Sequence, residues 1–198
     1  MKNVGTKRMW RGALFVAIAA TSLVACKKDK EETAGPATPP NEEELITTLL
    51  LTFTDVENAA NTYELRFTDV DGSGGAAPVI TGDTLPANRA YTLALRVLDE
   101  SGSTSEEITT EIMAEAAAHQ FFFLPAGIEL QISYADTDPN GRPVGVTNSA
   151  IAGAAGSGTL LVTLRHQPDK AAPGVATGDI TNAGGETDIQ VTFPVIIH

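Results

Sequence analysis

Six residues of this chain read like the opening of a calcium loop: Asp136-Thr137-Asp138-Pro139-Asn140-Gly141. Carboxylate and amide oxygens at alternate positions suit a hard cation, and a glycine supplies the sharp turn. An EF-hand loop closes on a bidentate Glu at its last position, and Thr147 stands there. No helical pattern flanks the segment. Asp, Asn and Gly are also the ordinary residues of tight turns. Two readings therefore stand: a hairpin turn, or a Ca2+ site on Asp136, Asp138 and Asn140. Asp69-Val70-Asp71-Gly72 is a shorter echo of the same pattern.

The histidines are His119, His166 and His198. None has the H-x-x-x-H spacing that puts two imidazoles on one helical face. His119 falls at the end of a predicted helix, where an imidazolium interacts well with the helix dipole. His166 ends a predicted strand. Both are ligand-contact candidates, because a transition-metal site forms if the fold brings an Asp or Glu to them.

Enzyme signatures are missing. There is no G-x-S-x-G elbow, no H-E-x-x-H and no phosphate-binding glycine loop. Gly153 to Gly158 (GAAGSG) lacks the Lys and the following helix of a P-loop and reads as a flexible connection. Glu106-Glu107 reads as a solvated helix face rather than a catalytic pair. The expectation is a protein that is not an enzyme, with a hydrolase as the remote alternative. Sugar stacking has little to work with: Tyr63, Tyr91 and Tyr134 fall on the apolar phase of their strands. Phe121-Phe122-Phe123 cannot all face one way in a strand, so either one is exposed or the segment is covered on both sides.

The elements that must position these residues are mostly strands. Apolar residues alternate through Tyr63-Leu65-Phe67, Tyr91 to Val97, Ile128 to Tyr134, Leu160 to Leu164 and Ile189 to Val195. That is the period of half-buried strands. Leu45 to Phe53 is a less regular strand-like run. Pro194 removes a ladder donor, which places the last strand at an edge or at a bulge. One helix is predicted over 105–118, with Thr104 and Glu107 as a capping box and Ile108, Ile112 and Ala116 as its buried stripe. Seven or eight strands and one helix imply a mainly β fold: an antiparallel, immunoglobulin-like two-sheet sandwich over 42–198.

The N-terminal end has a different character. Lys2, Lys7, Arg8 and Arg11 precede an uncharged run of 14 residues, Gly12 to Ala25. A membrane-spanning helix needs roughly 20, so the run reads as a signal peptide over 1–25. It ends in Leu23-Val24-Ala25-Cys26, which resembles the lipobox of bacterial lipoproteins. That resemblance implies cleavage before Cys26, the chain's sole cysteine, and diacylglycerol and palmitate-type acyl chains on it. More than one acyl chain is what stable anchoring requires. Residues 26–41 are charged and then rich in Pro, Thr and Ala, the composition of a disordered tether. Its charged start, Lys27 to Glu32, resembles the export signal of Bacteroidetes surface lipoproteins. All 25 acidic residues but only nine of the 13 basic ones follow Ala25, so cleavage takes the net charge from −12 to −16. Such a surface repels phosphate backbones, and nucleic acid is excluded as a partner.

Several stretches, NEEELITT (41–48), HQFFF (119–123), YADTDPNGRPVG (134–145), GAAGSGTLLVTLRH (153–166) and GDITNAGGETDIQVTFPV (178–195), are together similar to a group of small Bacteroidetes lipoproteins labelled "type 1 periplasmic binding fold superfamily". The resemblance implies an envelope binding role and brings no established site. Two α/β lobes, the architecture of that label, would need a strand–helix alternation that these residues lack. The expectation is an outer-membrane lipoprotein of the cell envelope, on either leaflet. It acts as a binding or accessory module for a metal ion or an outer-membrane transport partner. The alternative is a structural or adhesive surface module with no small ligand.

Overall fold

In the computed structural model the described residues are 45–72 and 74–198. The signal segment, the lipobox Leu23-Val24-Ala25, Cys26 and the tether lie outside them. Ten strands are present among the described residues: β1 (Thr48–Asp55), β2 (Thr62–Thr68), β3 (Val79–Gly82), β4 (Arg89–Asp99), β5 (Glu106–Glu107), β6 (His119–Ala126), β7 (Leu130–Tyr134), β8 (Thr147–Ala152), β9 (Gly156–His166) and β10 (Glu186–Ile197). They form two antiparallel sheets. The larger runs β3-β2-β1-β4-β8-β7, with β5 added beside β4, and the smaller runs β10-β9-β6. The order β4-β1-β2-β3 is that of a Greek key.

The alternating residues meet as rungs. Leu49, Leu51 and Phe53 of β1 stand opposite Phe67, Leu65 and Tyr63 of β2 and opposite Val97, Leu95 and Leu93 of β4. In the smaller sheet Leu160, Val162 and Leu164 of β9 stand between Phe193, Val191 and Ile189 of β10 and Pro125, Phe123 and Phe121 of β6. Nearly all of these apolar residues are buried in one core cluster that draws on both sheets. Burying each large side chain stabilises the fold by roughly 1.5–3 kcal/mol. The result is a mainly β sandwich with one short helix, as the alternation implies.

Prolines mark both edges of the smaller sheet. Pro194 sits in β10 and Pro125 in β6, each on a strand with a free side. The ladder between β10 and β9 also shifts register between Thr187 and Ile189. Edge and bulge therefore occur together. At its far end β10 continues into a short parallel pairing with Leu85–Ala87: the Leu85 N–H donates to the Ile196 carbonyl and the His198 N–H to the Leu85 carbonyl.

The predicted helix is shorter than expected. Glu106 and Glu107 pair with Asp99 and Leu98 as β5, and the α-helix, α1, spans Thr109–Ala114 with a 3-10 turn at Ala116–Ala118. Ile108 occupies the N-cap and no side chain caps it, so the Thr104–Glu107 capping box does not form. Glu107 instead accepts from Arg96 and from the Thr109 hydroxyl. The stripe survives: Ile108, Ile112 and Ala116 are all buried. Of Gly153 to Gly158, read from sequence as a flexible connection, residues 153–155 link β8 to β9 and Gly156 to Gly158 form the first part of β9. Phe121 faces the main core, while Phe122 packs with Val175 and Ala183 from the β9–β10 loop. That loop is what covers the triple-Phe segment on its second side.

Candidate functional site

His119 is the first residue of β6 and His166 the last of β9, and the two stand directly opposite each other. Both lie in phase with the core-facing residues of their strands, Phe121 and Leu164. They therefore extend the core stripe at the end of the sandwich. Their rings lie 4.7 Å apart between centroids and meet edge to face at 66°. Asp188 joins them from β10. The register shift frees Asp188 from the strict alternation of Ile189, Val191 and Phe193, so it turns toward the histidines. Its Oδ2 is 3.8 Å from His119 Nε2 and its Oδ1 is 3.6 Å from His166 Nδ1. The three side chains are 0%, 7% and 2% exposed, so this is a buried polar cluster.

The orientation of His119 follows from its neighbours. Its Nδ1 lies 3.3 Å from the Glu115 carbonyl, at the C-terminal end of α1. A carbonyl only accepts, so Nδ1 carries the proton. Nε2, the other ring nitrogen, is the one that faces Asp188. Among the described residues, His119, His166 and Asp188 form a group in which one ligand atom from each lies within 4.8 Å of the others.

Asp188 also lines a cleft of about 650 Å³, with Thr47, Phe67, Asp69, Ser101 and Gln190 among its other walls. Two hydroxyls of that wall are committed. Thr47 Oγ1 donates to the Leu98 carbonyl and accepts from the Glu100 N–H, and the Ser101 hydroxyl bonds the Asp99 carboxylate. A hydrolytic serine needs its hydroxyl on an imidazole, and neither of these is placed so. A second hollow, of about 490 Å³, lies against the other face of the smaller sheet and is mostly apolar, with Phe122, Leu124, Leu161 and Ile180 in its wall. It contains no histidine.

The aspartate loop is a different object from the one its sequence suggests. Asp138 Oδ1 accepts the N–H groups of Asn140 and Arg142, and Asp138 Oδ2 lies 3.3 Å from Lys170 Nζ. Asp136 accepts the N–H groups of Gly145 and Thr147, both at 2.7 Å. Lys170 is 2% exposed, and its ammonium also donates to the carbonyls of Ala116 and Pro143. The loop's cation is thus a lysine side chain of the same chain. At Asp136, Asp138 and Asn140, the residues expected as a Ca2+ site or a hairpin turn, backbone donors and an ammonium bond the carboxylate oxygens, and Asn140 is exposed with its N–H turned to Asp138. His198 lies apart, exposed at the chain's end.

Sequence reading found two of the three clustered residues, His119 and His166, and missed Asp188. The alternation of β10 assigns Asp188 to the outer face with Gln190 and Thr192, and only the bulge turns it inward. The clue lay in Gly184-Gly185 ahead of it, a pair able to reset the chain before the strand.

No family model matches this chain, and no curated protein or solved structure matches it either. Among the described residues no helix is long and apolar enough to cross a membrane.

Proposed function

We propose that this protein is a membrane-tethered binding or accessory lipoprotein of the cell envelope, held by lipid on Cys26, and that it binds its ligand at the end of the sandwich where β6, β9 and β10 converge. The observation that carries the binding role is the placement of two imidazoles and a carboxylate in a buried group beside a cleft. A domain that needed only stability would gain more from apolar residues there, since buried polar and charged groups are costly unless well paired. The lipobox and the charged, Pro-rich segment after it support the tether, and the similarity to small Bacteroidetes lipoproteins supports the envelope location. An outer-membrane transport protein remains the partner class for such an accessory module.

Fractionation tests the tether. The parent chain is expected in the membrane fraction with incorporated lipid label. Cys26→Ala is expected unlabelled and retained with its signal segment or released. A Cys26→Ala chain that still incorporates lipid label overturns the anchor.

A further inference from the structure

The binding role proposed above leaves the ligand unassigned, and the geometry points to a divalent late transition ion, of which Zn2+ is the type, held by His119 Nε2, His166 Nδ1 and the Asp188 carboxylate. This assignment rests on that binding role and makes its chemistry specific.

The donor set comes first. Two neutral imidazoles and a carboxylate are borderline ligands that suit Zn2+ and its neighbours, whereas Ca2+ and Mg2+ call for oxygen alone. The spacing comes second. A tetrahedral ion with bonds near 2.0–2.1 Å sets its ligand atoms about 3.3–3.4 Å apart. The two His–Asp separations, 3.6 and 3.8 Å, exceed that by a few tenths of an ångström. These separations run to different carboxylate oxygens, and the three ligand atoms lie within 4.8 Å of one another, so binding draws the side chains inward. Orientation comes third. The Glu115 carbonyl holds the Nδ1 proton of His119, and Nε2, the other ring nitrogen, faces the Asp188 carboxylate. A backbone acceptor behind a ligating imidazole is the usual outer support of a metal site.

Three protein ligands leave a fourth position. Asp188 is the member whose residue also lines the cleft. Asp69 shares that cleft, and its buried Oδ1 takes no hydrogen bond among the described residues. Its charge favours a cation's approach.

The competing occupant of the same space is a proton, which would make the cluster an imidazolium–carboxylate network with no ion. Calorimetric titration of the purified full chain with Zn2+ against a competing chelator separates the two. The expected result is one Zn2+ per chain, with Ca2+ silent. His166→Gln and Asp188→Asn are each expected to weaken Zn2+ binding about tenfold or more, while Asp136→Asn, in the aspartate loop, leaves it unchanged. Circular dichroism of each variant without metal checks that it is folded. If His119→Gln unfolds, the other two variants still decide. No Zn2+ binding by the parent chain overturns the assignment, and so does parent-like binding by folded His166→Gln and Asp188→Asn. Metal silence with Cys26-dependent lipid labelling intact removes the ion and leaves the tethered binding reading standing. A Cys26→Ala chain that keeps its lipid label removes the tether and leaves the ion untouched.

Discussion

At the scale of the residue, Lys170 and Asp138 show how a motif changes meaning once it is folded. The pair is nearly inaccessible, 2% and 1% exposed, and Lys170 joins the aspartate loop to the 3-10 turn after α1 through the Ala116 carbonyl. Removing one partner of a buried pair leaves an uncompensated charge, which costs about 3–5 kcal/mol. Lys170→Met is therefore expected to lower the unfolding free energy by about that amount in urea titration. A change below about 1 kcal/mol would contradict the role given to the ammonium. Acid should act through the same pair. Burial works against the Asp138 charge, but the N–H groups of Arg142 and Asn140 and the Lys170 ammonium outweigh it and hold the carboxyl below its ordinary value. A depressed carboxyl contributes stability that is complete above the unfolded value near pH 3.9 and is lost as pH falls through the lower folded value. Asp138→Asn should flatten that part of the stability–pH curve, and an unchanged curve would contradict the assignment. His119 and His166 could be named from sequence as groups awaiting a carboxylate. Which carboxylate, and that Lys170 lies against Asp138, depend on contacts 22 to 69 positions apart that no local spacing records.

At the scale of the element, β10 decides the site. Its register shift is what lets Asp188 face the histidines while Ile189, Val191 and Phe193 keep to the core. Gly185 prepares that entry. It has a φ of +70°, and a Cβ there would collide with the His166 carbonyl. Gly185→Ala thus combines a strained backbone with a clash against the strand that carries His166. It is expected to destabilise by more than about 1 kcal/mol, read as a fall of several degrees in Tm. A Tm within a degree of the parent would contradict this account of the turn.

The strands with large alternating side chains, β2, β4, β9 and β10, were legible because burial follows the period of two. β8 was not. Its core-facing residues are Asn148, Ala150 and Ala152, and Ala150 stands beside the buried Tyr91 ring on β4. Small residues next to a large ring satisfy the core without the hydropathy that announces a strand. β3 is four exposed residues on a sheet edge and carries no pattern at all. The helix was over-read because Glu106 and Glu107 suit a first helical turn in isolation. The free edge of β4 near Leu98 and Asp99 offered them a ladder instead.

At the scale of the whole molecule, the proposed function pairs a lipid anchor and tether with a sandwich that has a buried polar end. Cleavage before Cys26, as proposed, leaves a net charge of −16. That charge disfavours nucleic acid and favours cations, the ligand sign that the His119–His166–Asp188 cluster calls for. The proposal of a tethered ion-binding domain thus joins two features that are 93 residues apart in the chain, Cys26 and His119.

The most direct test of that proposal is X-ray absorption at the zinc edge on the Zn2+-loaded full chain. The account predicts a first shell of nitrogen and oxygen near 2.0 Å, with outer-shell scattering from two imidazole rings. A shell of oxygens alone, with no imidazole signature, would contradict it.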